Sequence, residues 1–373
     1  LDFSLSEDHL TLRAAAQDFL DREVTLAPLL KPGATVADAG YDRLWGKIAE
    51  LGWPSLIIPE VHGGLGMSYL DLTMIVSEMG RTLAPSPLFG TLAGTFAILA
   101  AGSPVQQGLL LGDVAAGSAR LALAVSDTSG AIDEPEKGVV AVKVVGGYCL
   151  NGAKSFVVDA AAADRIIVAG AFEGEVAYFV VDRAHPGVQV EVLEWRDVTR
   201  QVCQVRLSDV PAERLTHGDA QTWPWVRDRL YLVLAAESAA GARAALDDAV
   251  EYAKGRVAFG RPIGAYQAIK HQLAEIAGLV ECANAGVEYA AWALGEDDPN
   301  ASMAATMAQS YASEAYREAT HRNIQIFGAI GFTWEMKNHL FYKRARANAE
   351  LIGPPSKQRE EVISMLEARA AAA

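Results

Sequence analysis

Cysteine is scarce in this chain: three among 373 residues, Cys149, Cys203 and Cys282, odd in number and without the close spacing a metal centre requires. They read as reduced, buried thiols, as expected in a reducing compartment. The seven histidines are scattered, with no H-E-x-x-H pair and no Cys/His cluster, so no metal site is expected. Positive charge is in short supply too. A net charge of −14 argues against nucleic acid or an anionic membrane surface as partner. It leaves room for a small anionic ligand, which a few local arginines can hold. No basic segment followed by an apolar run opens the chain, so no signal peptide is expected. The apolar helical stretches are interrupted too often by polar residues to span a bilayer, and a cytoplasmic protein is expected. Also missing are G-x-G-x-x-G after a strand, the P-loop G-x-x-x-x-G-K-[ST], and the G-x-S-x-G elbow of hydrolases.

What remains is an ordinary soluble composition, half hydrophobic and a fifth charged, long enough for two or three structural regions. Its texture changes twice. The first 118 residues read as helical. Ser4 and Glu7 have capping-box spacing, and Leu12, Ala15, Ala16, Phe19 and Leu20 follow at helical intervals. A second helix places Leu44, Ile48 and Leu51 on one face and stops at Gly52. "PEVHGGLGM" is a tight glycine-rich connection, and Ser68 with Asp71 caps the helix after it. Residues 119–218 are short Val- and Ile-rich runs separated by Gly, Asp and Pro, which predicts a compact antiparallel sheet or barrel. Residues 219–373 return to long helical stretches with short breaks at "AFGRPIG" and Pro299, which favours an antiparallel four-helix bundle. The fold class is therefore α+β, in the order helical, β, helical. The closing "EARAAA" reads as a fraying end.

The informative segment is "RVAFGRPIGAYQAIKHQLAE", residues 256–275. Arg256 falls in the last turn of a long helix, where a cation suits the dipole, and Phe259-Gly260 and Pro262-Ile263-Gly264 break the chain sharply. Taken alone it is a helix–helix turn. Together with "NIQIFGAIGF", "PEVHGGLGM" and the helix–β–helix order, it resembles the acyl-CoA dehydrogenase family over essentially the whole chain. That resemblance implies an N-terminal helical domain, a middle antiparallel β-domain and a C-terminal four-helix bundle. It also implies FAD at a subunit interface, an acyl-CoA substrate and an electron-transfer flavoprotein as acceptor. In such enzymes a glutamate removes the α-proton and the β-hydride passes to the flavin, giving a 2-enoyl-CoA.

Carried over residue by residue, the resemblance divides the site. Arg256, Phe259 and Gln325 match the residues that bind the ADP half of an FAD held mainly by the neighbouring subunit. Gly328 is present, but Ala329 stands where the family has a second glycine, and its methyl would crowd the cofactor without abolishing the site. The flavin-facing positions are changed: Ala124 at the threonine position, Phe156 for tryptophan, and Val158 for a hydroxyl residue. The two places where family members carry the catalytic glutamate hold Leu230 and Ile352. Pro354 takes the place of the threonine that follows. Glu350 lies two residues from Ile352, nearly opposite on a helix, and reads as a solvated charge. The resemblance thus suits a non-catalytic subunit that completes the FAD site of a glutamate-bearing homologue in a heterotetramer. Two alternatives stay open. One is an active homotetramer whose displaced base is Asp228, Glu237 or Glu350; the other is a flavin-free scaffold on the same fold.

Overall fold

A computed structural model describes residues 5–372. Five helices come first: α1 (Glu7–Glu23), α2 (Tyr41–Glu50), α3 (Tyr69–Thr82), α4 (Leu88–Ala101) and α5 (Pro104–Ala115). Ser4 lies outside the described residues. The cap on α1 is Ser6, whose Oγ accepts from the His9 backbone N–H at 3.2 Å while His9 Nδ1 accepts from Ser6 N–H at 3.1 Å. Ser68 and Asp71 form the capping box expected on α3. Helix α2 stops at Glu50, and Leu51 is half exposed rather than part of the core face. Helix α4 is buried on nearly every side because it is wedged between the sheet and the helices that follow.

The strands are β1 (Leu121–Ala124), β2 (Val139–Val144), β3 (Gly147–Val158), β4 (Arg165–Phe172), β5 (Glu175–Asp182), β6 (Val188–Val192) and β7 (Val202–Arg214). Pairings β4–β2–β3–β7–β5 return to β4 and close a small barrel, with β1 added beside β4 and β6 beside β7. Its interior is filled by residues such as Ala124, Val139, Val157, Phe179 and Val205. The sheet is not wholly antiparallel. Strand β1 runs parallel to β4, because the β2–β3 hairpin between them supplies the long connection a parallel pair needs.

The last region contains α6 (Thr222–Gly255), a two-residue-per-strand hairpin β8 (Val257–Ala258) and β9 (Arg261–Pro262), then α7 (Gln267–Gly295), α8 (Ala301–Phe327), α9 (Asn338–Glu350) and α10 (Pro355–Ala372). Successive helices α6 to α9 alternate in direction: Arg322 on α8 meets Glu275 on α7, and Asn323 Nδ2 donates to Ala245 O on α6 at 2.7 Å. A fifth helix was not expected. The "EARAAA" stretch read as a fraying end is instead the last part of α10, which packs along α8. Arg359 pairs with Glu314 at 3.0 Å, and Arg369 donates to Pro299 O at 3.1 Å. Of the cysteines, Cys203 is buried as expected, whereas Cys149 is half-buried and Cys282 exposed; all three are free. Neither of the latter two lies on an inward face. Among the described residues no helix is long and apolar enough to cross a membrane, and no group of three His, Cys, Asp or Glu could hold a metal ion.

Candidate functional site

Leu230 on α6 and Ile352 after α9 are 122 positions apart in sequence, yet they line one cavity of about 40 Å³. Both are almost completely buried, and Tyr231 Oη donates to Ile352 O at 3.4 Å, tying α6 to the chain after α9. The opposite wall comes from the strands, through Leu123, Val125, Ser126, Phe156 and Val158. No residue lining this cavity is acidic. Phe156 holds a left-handed backbone, φ +55°, and its ring lies 6.1 Å from that of Trp195. Ala124 is turned away into the barrel; strand alternation puts Leu123 and Val125 at the cavity instead. Ser126 and Ser155, two hydroxyls at the cavity wall, were missed in the sequence, where isolated serines carry no signal.

The segment between β1 and β2 contributes Val125, Ser126 and Ile132 to the cavity lining. Lys154 on β3 is fully buried, and its Nζ donates to Val125 O at 3.0 Å, Pro135 O at 2.5 Å and Lys137 O at 2.6 Å. Burial pushes this amine down to about 8, against the pull of Asp127 and Glu136. Three carbonyls held by one ammonium draw the segment inward and seat Ile132 in the cavity wall. Lys357 on α10 pairs with Asp133 on the outside.

Of the alternative bases, Glu237 lies against a second small cavity, of about 30 Å³, further along α6. Its Oε1 accepts from Arg344 Nη1 at 2.5 Å and Asn348 Nδ2 at 3.1 Å, and its Oε2 from Arg200 Nη2 at 2.6 Å. Burial alone would raise its pKa, but Arg200 and Arg344 outweigh that and hold it at about 2. A carboxylate with both oxygens engaged and so low a proton affinity is a poor general base. Asp228 is buried beside Arg227 at 3.5 Å, outside the cavity, and Glu350 is exposed. A carboxylate the sequence reading passed over lies closer. Asp159, fully buried, accepts from Tyr41 Oη at 2.6 Å and from the N–H of Gly90, a cavity residue, at 3.0 Å. Burial raises its pKa to about 6 in spite of these bonds. It clamps β3 to α2 and to the first turn of α4.

The far end of α6 is built differently. Arg256 caps the helix, and Ala258-Phe259-Gly260-Arg261 makes a tight turn whose central residues have φ +53° and +82°. Positive φ at both centres is the requirement of a two-residue hairpin loop of the twisted, primed kind, and Phe there costs about 1–2 kcal/mol. Tyr266 Oη steadies the turn by donating to Ala258 O at 3.1 Å and Phe259 O at 3.3 Å. Yet the Phe259 ring is 96% exposed. Tyr252, one turn before Arg256, stacks on Phe327 at 4.0 Å, bringing the end of α8 to the same place. Gln325, Gly328 and Ala329 are exposed there, and Gly328 ends α8 at φ +69°. The side chains of Arg256 and Gln325 have no hydrogen-bond or ion-pair partner among the described residues.

Residues 6–118 match the family described as acyl-CoA dehydrogenase, N-terminal domain, and residues 229–366 match acyl-CoA dehydrogenase, C-terminal domain. The acyl-CoA dehydrogenase IpdE2 of Mycobacterium tuberculosis is 35% identical over 342 residues, 91% of each chain. The chain belongs to the acyl-CoA dehydrogenase family. IpdE2 of Mycolicibacterium smegmatis is 30% identical over 357 residues, 95% of this chain and 97% of that one. A solved variant of the Tcur3481–Tcur3483 steroid ACAD is 28% identical with TM-score 0.87, covering 99% of this chain and all of that one. Family members are FAD-dependent oxidoreductases acting on acyl-CoA thioesters, and this chain has the family's fold from end to end.

Whether FAD suits these residues has two answers. The cavity between strands and α6 is near the volume of a few waters, far below the roughly 300 Å³ at which small-molecule pockets begin. An isoalloxazine does not fit it. At the hairpin end the donor set does fit: an unengaged guanidinium suits a pyrophosphate, and a bare ring beside it suits a base.

Proposed function

We propose that this chain is the non-catalytic subunit of an acyl-CoA dehydrogenase, and that it completes the FAD site of a glutamate-bearing homologous subunit in a cytoplasmic heterotetramer. The observation that carries the reading is the small cavity in which Leu230 and Ile352, which the resemblance puts at the family's base positions, meet with no acidic residue in its lining. FAD, when bound to the partner, supplies the hydride acceptor for α,β-dehydrogenation, and an electron-transfer flavoprotein would take the electrons onward. This chain's part is to hold the cofactor's ADP half. Arg256 and Gln325 would engage the phosphates and ribose, Phe259 would cover the adenine, and the Gly328-Ala329 turn would let the backbone approach. The two-component naming of the steroid ACAD relative at 28% identity supports a paired assembly and suggests a steroid-derived acyl group. We assign residues 1–118, 119–218 and 219–373 as its three domains.

FAD content tests this. The expected result is little or no FAD on the chain expressed alone and one FAD per unlike pair when it is co-expressed with a glutamate-bearing homologue. One FAD per chain in isolation, bleached by acyl-CoA, would overturn it.

A further inference from the structure

A groove of about 420 Å³, roughly ten times the volume of the cavity at Leu230, is lined by Trp195, whose ring also approaches Phe156 of that cavity. It runs between the 33–36 turn, the 192–202 connection and the start of α9. Its size is that of a small-molecule site. Two indoles, Trp195 and Trp334, line it, and the second is braced edge-on by His339 at 4.9 Å. Val36, Val192 and Val202 add aliphatic wall.

The polar groups at this groove have an uneven charge balance. Asp197 contributes no free negative charge, because Arg344 Nε donates to its Oδ2 at 2.5 Å and Thr199 N–H to its Oδ1 at 2.9 Å. Arg200 is likewise engaged by Glu237 and Asn348. That leaves Arg196 and Lys343 against the single carboxylate of Glu194. Lys343 Nζ sits 4.8 Å above the Trp334 ring, a cation already parked on an aromatic face. The Trp195 Nε1–H is buried and has no acceptor among the described residues. A buried indole donor without a partner is costly, and an anion or carbonyl placed beside it removes the cost. In a chain of net charge −14, an excess of cations lining an aromatic groove is a local reversal of the overall field.

We propose that this groove is a second binding site, for a small molecule with a flat apolar body and a carboxylate head. The apolar body lies between the two indoles; the carboxylate meets Lys343 and Arg196 and accepts from Trp195 Nε1. The site is separate from the FAD hairpin, and it stands or falls independently of the heterotetramer reading.

2-Naphthoate serves as probe, titrated calorimetrically into the full chain in whatever assembly it purifies. Saturable binding at one site per chain is expected, weakened about tenfold or more by Lys343→Gln and by Trp334→Ala, because charged hydrogen bonds and aromatic contacts are each of that order. Trp195→Phe keeps the ring and removes only the donor, and should weaken binding a few-fold. The neutral alcohol 2-naphthylmethanol should bind at least tenfold more weakly than the acid. Absence of saturable heat at millimolar probe overturns the proposal, as does binding that Lys343→Gln and Trp334→Ala leave unchanged. So does equal affinity for acid and alcohol. Melting temperatures of the variants within a few degrees of the parent separate lost binding from lost folding.

Discussion

Helix α6 passes through two environments, and they obey opposite rules. Along its first half it borders an interior in which the named ionised groups are already partnered: Glu237 by Arg200 and Arg344, and Lys154 by three carbonyls. At its C-terminal end it carries Arg256, Phe259 and, through the Tyr252–Phe327 stack, Gln325 into solvent with nothing to hold. The first environment is complete in itself. The second makes physical sense only against something outside the chain, because a left-handed, bare phenylalanine costs folding energy and returns none within the chain. On the proposed reading, a catalytic subunit needs open space and a free carboxylate inside, whereas the cavity at Leu230 and Ile352 is small and Glu237 is held by two arginines.

The comparison can be broken most forcefully from the inside. Arg344→Ala leaves the buried Asp197 without its ion-pair partner and Glu237 with Arg200 alone, and unfolding by urea should show a loss of about 3–5 kcal/mol. The pH dependence sharpens the same point. The depressed pKa of Glu237, about 2 against 4.5, contributes stability that is present above pH 4.5 and lost as pH falls towards 2. Asp159 acts in the reverse sense. Its folded pKa of about 6 exceeds 3.8, so the folded state holds the proton more tightly and stability falls as pH rises through that window. Asp159→Asn should flatten this descent, worth roughly 3 kcal/mol across the window, in urea titrations at stepped pH. A steeper descent in the variant would contradict the assignment.

Restoring chemistry by one substitution should fail. Ile352→Glu buries a carboxyl in an apolar cavity, at a cost of roughly 1–3 kcal/mol, and adds no room for a flavin. Acyl-CoA-dependent bleaching in the isolated chain should stay absent. Smaller changes belong to the exposed end. Arg256→Ala should leave the chain's melting within about 0.5 kcal/mol of the parent while weakening FAD retention by the unlike pair about ten- to a hundredfold. Phe259→Gly relieves the left-handed strain and should stabilise the isolated chain by up to about 1 kcal/mol, yet lower FAD retention. If it destabilises the chain alone, the ring is serving the fold and not a partner.

Much of the fold was legible because periodicity reports burial directly. The long α6, α7 and α8 repeats, the Ser68 capping box and the Val-rich strand runs each carry their own local signal. Helix α10 was missed although its Ala-, Glu- and Arg-rich sequence favours helix, because it lacks the apolar stripe that marks a packed face. The parallel β1–β4 pairing was hidden for a similar reason: strand direction is set by connections, not by composition. At the site, the family resemblance singled out Leu230, counted back from Arg256, and Ile352, aligned on Tyr342, Arg346 and Gly353. Their meeting in one cavity was not legible. The Arg200–Glu237–Arg344–Asp197 cluster joins residues up to 147 positions apart, and no local pattern announces it. Ile132 did leave a trace, as a lone isoleucine within "SDTSGAIDEPEK", an otherwise polar and small-residue connection.

The hold that Lys154 has on that connection also gives the molecule a clock. An amine with a pKa near 8 would be half neutral at mildly alkaline pH and so nucleophilic enough for acylating reagents, yet at 0% exposure it cannot meet them. Its labelling rate is then the rate at which the 125–137 segment swings open, scaled by how seldom it does so. Exposed amines such as Lys254 would be modified early, while Lys154 would record excursions of the 125–137 segment over minutes to hours. A mass-resolved ratio of the two would measure how firmly this chain holds that connection in place.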